Sequence, residues 1–599
     1  MSRLLLVVTA IALLEISVSA PPPLRDEYDF IVVGAGNAGC VIASRLSENG
    51  KYTVLLLEAG PEPHPGLNVP AIVSDYIGGY IRIYESVPQR NANLENGGIA
   101  EYPVGWTLGG GTSVNNMVFN RGSPFDYDGW ANITNDDGWK YSNMLKYFKK
   151  SEDYRGDFPS DQHGYNGPIP VSRPRYAPGL ENWLEAGRTL GYSIADPNGP
   201  QKISFSPREF SKRFGRRVSS YAGYIRPFLG RRRNLRVISS AEVSRVIFEG
   251  NKAVGVRYST NSTGEIRENN YVRVRKDIIV SAGVIGSPLL LLRSGVGPKT
   301  DLDEAKVSVV KDLPVGKGLH DHLVLGLSFV INNRSLIFDR ERDLTPEALR
   351  IYNTIGDGPY STSGGYVAQA LIASSIATKD RNSAWPDYML YPIQSPRAPS
   401  IFPPSEGIEM AEWEAPVYCG VALGRPKSRG SIKLNASDVD GGPLIDFQFL
   451  SNPEDGQVLL EGIQTALKIF EETPSYQRLQ ARLAPIDMPA CQQHEYRSEE
   501  FWKCFIRQRA TAFIHAAGPC RMGKGEEDPD AVVDSRLRVI GVEGLRVVDA
   551  SIMPNVVNSN THAPIYGIAE KASDAILEDW EAEDVVGSFR FRKPYRKWG

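Results

Sequence analysis

Apolar residues in this chain gather into short runs broken by Gly, Pro and Asn. Phe30-Ile31-Val32-Val33 is the first run of strand-forming residues, and a helical stretch follows to about Glu48. A second apolar run, Thr53 to Leu57, ends at Glu58. Trp130 to Tyr154 has the spacing of an amphipathic helix, and another helix is expected near Gly179 to Gly191. From Asn234 to Ser259 apolar and polar residues alternate, which predicts a β-meander turning at Gly250-Asn251. Asp277 to Gly283 reads as a buried strand that enters a helix at Ser287 to Ser294. Residues 61–104 are rich in Pro, Gly, Tyr and Asn and predict a long, mostly irregular segment of the kind used as a lid or interface. The pattern changes over 325–500, with strands at Pro386 to Tyr391 and Val417 to Leu423 and a helix near Asn452 to Glu472, as expected of a second domain. The last part returns to glycine turns and apolar strands, His515 to Gly523 and Leu545 to Ala550, then a helix from Pro564 to Trp580. Strands alternating with helices make this an α/β protein.

Between the first strand and the first helix stands Gly34-Ala35-Gly36-Asn37-Ala38-Gly39, a full G-x-G-x-x-G. Strand, glycines, helix, strand and acid in that order form the βαβ unit that holds a dinucleotide. Gly34 permits the tight turn, Gly36 admits the pyrophosphate, and Gly39 lets the helix pack on the strand. The helix N-terminus offers free N–H groups to phosphate. Glu58 follows at the spacing of an acid that accepts the adenosine ribose hydroxyls, which argues against a 2′-phosphate and hence against NADP. The unit by itself leaves FAD and NAD both open. Gly105 to Asn116, GWTLGGGTSVNN, is a second close-approach backbone suited to a flat cofactor.

The chain has 599 residues, more than one ordinary core accommodates. A net charge of −3 points to neither nucleic acid nor an acidic membrane surface as partner. Residues 1–20 have the form of a secretory signal peptide: Arg3, an apolar core Leu4 to Leu14, and Val18-Ser19-Ala20 as cleavage site. Glu15 interrupts an apolar run already too short to span a bilayer, so a secreted chain with no stable membrane insertion is expected. In that setting the sequons at Asn132, Asn261, Asn333 and Asn435 become candidate N-glycan sites. Cys491 and Cys504 flank a polar segment and could close a small loop as a disulfide, while Cys40 reads as a buried thiol. No Cys/His spacing resembles a zinc site, so no metal is expected.

Four further stretches carry a resemblance. GWTLGGGTSVNNMVFNRG, GVIGSPLLLLRSGVGP, LPVGKGLHDHL (Leu313 to Leu323) and GLRVVDASIMP (Gly544 to Pro554) resemble the signatures of the glucose–methanol–choline (GMC) flavoprotein oxidoreductases. The resemblance covers about Tyr28 to Glu578. VVDASIMP followed by AEKASD is similar to arthropod glucose dehydrogenase-like members, and NTHAPIY is similar to the aryl-alcohol oxidase branch, with mandelonitrile oxidase-like features. The resemblance implies FAD in a discontinuous Rossmann-like domain, and a substrate domain built on an antiparallel β-sheet flanked by helices. The implied FAD-binding segments are 26–158, 212–324 and 505–585, with substrate segments 159–211 and 325–504 and a basic tail at 586–599. The adenosine end of FAD would lie on Gly34, Gly36, Asn37, Ala38, Gly39, Glu58 and Ala59. The isoalloxazine would lie near Gly109, Gly110, Asn115 and Asn116, with Met117 and Val118 as further implied FAD contacts. Val243 would meet the adenine, Asp549 and Ala550 would contact the pyrophosphate and ribityl chain, and Ala282 is a further implied FAD contact. His562 and Pro564 would flank the pyrimidine edge. The chain departs from the family pattern at Trp106, Gly111, Asn116 and Ala517-Gly518-Pro519, all near the flavin, which bears on substrate and acceptor.

The implied reaction removes the proton of an alcohol CH–OH with a base while its hydrogen leaves as hydride to flavin N5. Imidazole suits the first task, with an unperturbed pKa of about 6.5. By the family pattern His515 of FIHAAGPC is the general base, and Asn560 holds the substrate oxygen without titrating. Asn560 also reads as a helix N-cap, and His562 is a second candidate base. His320 and His322 read as structural. Three substrate classes follow: a sugar such as glucose, an aromatic alcohol, or an α-hydroxynitrile. O₂, giving hydrogen peroxide, or a quinone would reoxidise the flavin. The alternative reaction is a hydroxynitrile lyase that uses the same His with a non-redox flavin, and a further alternative is a non-catalytic binding protein.

Overall fold

The computed structural model describes residues 22–200, 203–262, 265–379, 384–396 and 410–590. The expected leader at 1–20 and the tail beyond 590 lie outside these residues.

One mixed sheet is built from β1 (Glu27–Val33), β2 (Val54–Leu57), β3 (Leu235–Ile238), β4 (Ala241–Glu249), β5 (Lys252–Ser262) and β6 (Glu265–Val280). β1 lies at its centre, parallel to β2 with Phe30 opposite Val54, and parallel to β6 with Val33 opposite Val280. All four residues of β2 are buried, as a strand covered on both faces requires. β6 is long enough for two neighbours on one side. Its first half is antiparallel to β5, and its Ile278–Val280 end is parallel to the strand Leu545–Val547.

The expected Asn234–Ser259 meander does not include its first strand. β3 pairs in parallel with β2, because Asn234 donates to Ser47 O and Tyr52 O and accepts from Val54 N–H. The meander proper is β4–β5–β6, turning at Gly250-Asn251 as expected.

Among the helices packed with this sheet are α1 (Asn37–Ser47), α2 (Gly283–Arg293) and α3 (His562–Arg590). α1 is buried along nearly its whole length between the sheet and α3. Its Arg45 pairs with Glu570 of α3 at 2.8 Å. Gly39 makes the packing possible, since a Cβ there would lie 1.8 Å from Gly34 O. α2 starts four residues earlier than the pattern suggested, and α3 continues past Trp580 to Arg590.

A second, mainly antiparallel sheet holds its own core. Leu323–Ile331 pairs with Ala415–Leu423, which pairs with Tyr388–Ile393, then Ala368–Ile372, then Ser204–Pro207. The helix Pro453–Glu472 packs on it, with Phe470 stacked on Phe329 at 4.1 Å between centroids. The expected helix over Trp130–Tyr154 is two helices, Pro124–Thr134 and Tyr141–Ser151. Asn135, left-handed at φ 53°, ends the first, and a Ser123–Asp126 capping box begins it. Residues 61–104 are less irregular than expected: short 3₁₀ turns lead into a hairpin pairing Ile81–Glu85 with Glu101–Gly105. Cys491 and Cys504 are disulfide-bonded, and Cys40, Cys419 and Cys520 are free and buried. Among the described residues no helix is long and apolar enough to cross a membrane.

Candidate active site

A cavity of about 1120 Å³ is lined by the mixed sheet's loops, the Ile81–Gly105 hairpin and the second sheet. Of the residues singled out by sequence, Gly34, Gly36, Asn37, Ala38, Glu58, Ala59, Gly110, Asn115, Asn116, Met117, Val118, Val243, Ala282, Asp549, Ala550 and His562 line it, as do His515 and Asn560. Gly39, Gly109 and Pro564 do not. Gly39 faces the Gly34 carbonyl. Gly109 donates to Ala35 O at 2.7 Å and lies against Ser113, so it joins the two glycine loops from beneath. Pro564 is buried in the first turn of α3, where Thr561, His562 and Ile565 meet the cavity instead.

Backbone closeness shapes the cradle. Gly110 has φ +50°, and a Cβ there would stand 2.8 Å from Gly36 Cα. Glu58, at the end of β2, accepts from Ala35 N–H at 2.7 Å and Gly60 N–H at 2.8 Å. Burial pushes its carboxyl up to about 7. Each oxygen keeps a lone pair for a further donor. Asn37 Nδ2 donates to His562 O at 2.8 Å, tying α1 to the start of α3. Asn37 Oδ1 and Ser281 Oγ line the cavity buried and without a protein partner, the state of groups that await a ligand. Asp549 is spent within the protein: its carboxylate accepts from Gly283 N–H and Ser551 N–H and fixes the start of α2. Met117 is left-handed at φ 60°, its N–H held by Asn115 Oδ1 at 2.9 Å. Arg217 in turn donates to Asn115 Oδ1 and to Thr112 O, both at 3.0 Å.

The second group of residues forms where two distant segments pair. His320 N–H donates to Ala517 O and Ala517 N–H to His320 O, at 3.1 and 2.8 Å. Phe513 N–H donates to His322 O at 2.9 Å. Between these bonds the ladder is broken. Ile514 takes φ +66°, a strained conformation for a β-branched residue. Asp321 holds the break open, accepting from Ile514 N–H at 3.0 Å and His515 N–H at 2.8 Å. His515 is thereby turned toward the cavity.

His515 then enters a chain of side-chain hydrogen bonds. His322 Nε2 lies 2.9 Å from Val557 O, which can only accept, so this nitrogen carries the proton. Burial lowers the His322 pKa to about 4, so its ring is neutral and Nδ1 is an acceptor. His515 Nδ1 lies 3.1 Å from that nitrogen and must donate to it. His515 is neutral too, because burial, then His322 and Arg208, push its pKa well below 6.5. Its Nε2 therefore bears a lone pair, which accepts from Asn560 Nδ2 at 3.0 Å. Asn560 Oδ1 accepts from Asn120 Nδ2 at 3.1 Å, and Asn120 is locked by reciprocal 3.0 Å bonds to Gln369. The arrangement can take a proton at one defined atom, beside a fixed amide donor.

α3 begins at His562, so Asn560 lies before the cap position and is not the N-cap residue considered above. His562 lines the cavity outside the chain, 3.4 Å from Tyr566 OH, with burial lowering its pKa to about 4. His322, Asp321, Asn120 and Gln369 were missed as site residues. The His320-Asp321-His322 triplet was visible, but its pairing with residues 513–517 was not.

The cradle fits a long dinucleotide: paired glycine loops, an acid at the strand end, a helix N-terminus and unpaired polar atoms. Family models described as GMC oxidoreductase match residues 28–324 and 426–569. The chain belongs to the GMC oxidoreductases, and is an FAD-dependent oxidoreductase acting on CH–OH donors. It is 37% identical over 565 residues to glucose dehydrogenase [FAD, quinone] of Drosophila pseudoobscura pseudoobscura, covering 93% of this chain and 88% of that protein. It is 34% identical over 580 residues to ecdysone oxidase of Spodoptera littoralis, covering 92% of each. Among solved structures, pyridoxine 4-oxidase from Mesorbium loti is similar over 91% of this chain and 98% of its own, with TM-score 0.77 and 27% identity.

Proposed function

We propose that this chain is a secreted alcohol oxidase or dehydrogenase in which His515 Nε2 takes the hydroxyl proton and Asn560 holds the substrate oxygen. One observation carries the reading: the Val557–His322–His515 hydrogen bonds leave Nε2 of a neutral imidazole unprotonated at the cavity wall. A bound alcohol enters between the two side chains. Its O–H donates to Nε2, and its oxygen accepts from Asn560 Nδ2. Bound FAD supplies the acceptor for the carbinol hydride. Gly34, Gly36, Glu58 and Gly110 would hold it, within the FAD-binding segments 26–158, 212–324 and 505–585. The substrate segments would be 159–211 and 325–504.

Reoxidation by O₂ or a quinone remains part of this reading, the quinone being supported by the name of the Drosophila relative. Secretion rests on the sequence of residues 1–20, with Asn132, Asn261, Asn333 and Asn435 as glycan sites.

The test is anaerobic addition of benzylic alcohols, glucose and α-hydroxynitriles to the purified yellow protein. Bleaching of the flavin band by one of them is expected, and His515→Ala should slow it by a factor on the order of 100 or more with flavin retained. Product without bleaching would replace the reading with a lyase. Unchanged bleaching in His515→Ala would remove the base assignment.

A further inference from the structure

Arg208 follows the strand Ser204–Pro207, and its N–H donates to Val367 O at 3.0 Å. The residue is 3% exposed. Its guanidinium lies over the Tyr391 ring at 4.7 Å and near the Tyr366 ring at 5.7 Å. Other deeply buried arginines have acids: Arg121 pairs with Glu152, and Arg546 with Asp277 and Asp579. Arg217 lacks an acid but donates from Nε and Nη1 to Leu67 O, Thr112 O and Asn115 Oδ1, with only Nη2 left over. Arg208 has neither. Among the described residues no carboxylate reaches its guanidinium, and Nε is buried without a partner.

Arg208 lines the same cavity as His515, Asn560, Tyr366 and Phe513. Its positive charge is felt at His515. Phe513 packs edge-on to His515 at 4.5 Å between centroids and stacks on Tyr391 at 5.4 Å. The wall from imidazole to guanidinium is therefore aromatic. A buried cation without a counter-ion is unfavourable unless an anion arrives with the ligand. Guanidinium presents planar paired donors that match a carboxylate in two-point contact.

We propose that Arg208 anchors a carboxylate on the substrate, so that the alcohol oxidised here is a hydroxy acid. This rests on the alcohol-oxidising reading above for what happens at the carbinol. The carboxylate sits on Arg208, the hydrocarbon lies along Tyr366 and Phe513, and the carbinol reaches His515 and Asn560. A neutral sugar in the same place leaves the cation uncompensated.

Two measurements on the flavin-loaded enzyme test this. The first compares 4-(hydroxymethyl)benzoate with its methyl ester in anaerobic flavin bleaching. The acid is expected to be favoured in kcat/KM on the order of 30-fold, the effect of a desolvated charge pair. Arg208→Met should collapse the ratio to near one, and Arg208→Lys should keep part of it. The second measurement needs no turnover: benzoate, but not benzamide, should perturb the wild-type flavin spectrum and raise its melting temperature. An ester used as well as the acid, a preference that survives in Arg208→Met, or equal binding of benzoate and benzamide would overturn the proposal. Bleaching by the ester alone defeats only the Arg208 anchor. Bleaching by no alcohol defeats the alcohol reading, and benzoate binding still decides Arg208.

Discussion

Replacing His322 by phenylalanine keeps a ring of similar shape and removes the acceptor for His515 Nδ1–H. In the native chain that acceptor lies 3.1 Å away, and it selects the tautomer with a free Nε2. Leaving a buried N–H without a partner costs about 1–3 kcal/mol. The proton then favours Nε2, where it can still find a substrate oxygen. At about 1.4 kcal/mol per decade the population with a usable lone pair falls about 5- to 150-fold. Flavin reduction should slow by the same factor, measured by anaerobic stopped flow with the alcohol that bleaches the wild type. His322→Gln, which keeps an acceptor and a donor, should retain most of the rate. Flavin content and melting temperature report whether losing the Val557 bond has disturbed the fold. Reduction by a well-folded His322→Phe enzyme within about twofold of wild type would refute the tautomer account. So would ¹⁵N NMR showing the proton on His515 Nε2 in the native protein.

Asn560→Asp places a carboxylate about 3 Å from the imidazole and favours its charged form, so the pKa of His515 rises. The base works only when neutral, so the acid limb of kcat/KM should move to higher pH; an unmoved limb would show that His515 is not the titrating group. Burial raises Asp321 from its ordinary 3.8 to about 7, so the folded state binds the proton more tightly than the unfolded one. This group's contribution to stability is then greatest below pH 4 and is lost as pH rises to about 7, on the order of 4 kcal/mol. The stability of wild type relative to Asp321→Asn, read from urea melts, should fall across that window, and a difference that does not vary with pH would contradict it. Gly110→Ala forces a Cβ against Gly36 Cα at a left-handed φ. The two glycine loops must part, and the flavin-to-protein ratio after purification should drop well below one. A full yellow complement would show that this contact is not part of the cradle.

The nucleotide unit was legible because its physics is local. A strand, a tight glycine turn and a helix N-terminus are all encoded within Tyr28–Glu58, and the structure forms them with ends shifted by one to three residues. β3 was misjudged because alternation says which residues face a core and not which neighbour they pair with; Asn234, bonded across to Ser47 and Tyr52, decides that. The helix break at Asn135 turned on one left-handed residue inside an amphipathic pattern. His515 and Asn560 were reached through family motifs, since nothing local distinguishes them from other polar residues. Their environment was illegible for a different reason. The left-handed Ile514, the Asp321 clamp and the His322 bond exist only where residues 320–322 meet 513–517. Arg208 looked like any arginine in sequence, because the absence of a partner shows only in space.

Asn37 donates to the carbonyl of His562 across 525 residues of chain. One lip of the cavity thus leaves the ribosome well before the other. The strand Leu545–Val547 joins β6 only after the whole second sheet has been made. Capture of the cofactor in consequence waits for residues 545–562, and a chain arrested before residue 545 should emerge colourless however well its first βαβ unit has folded.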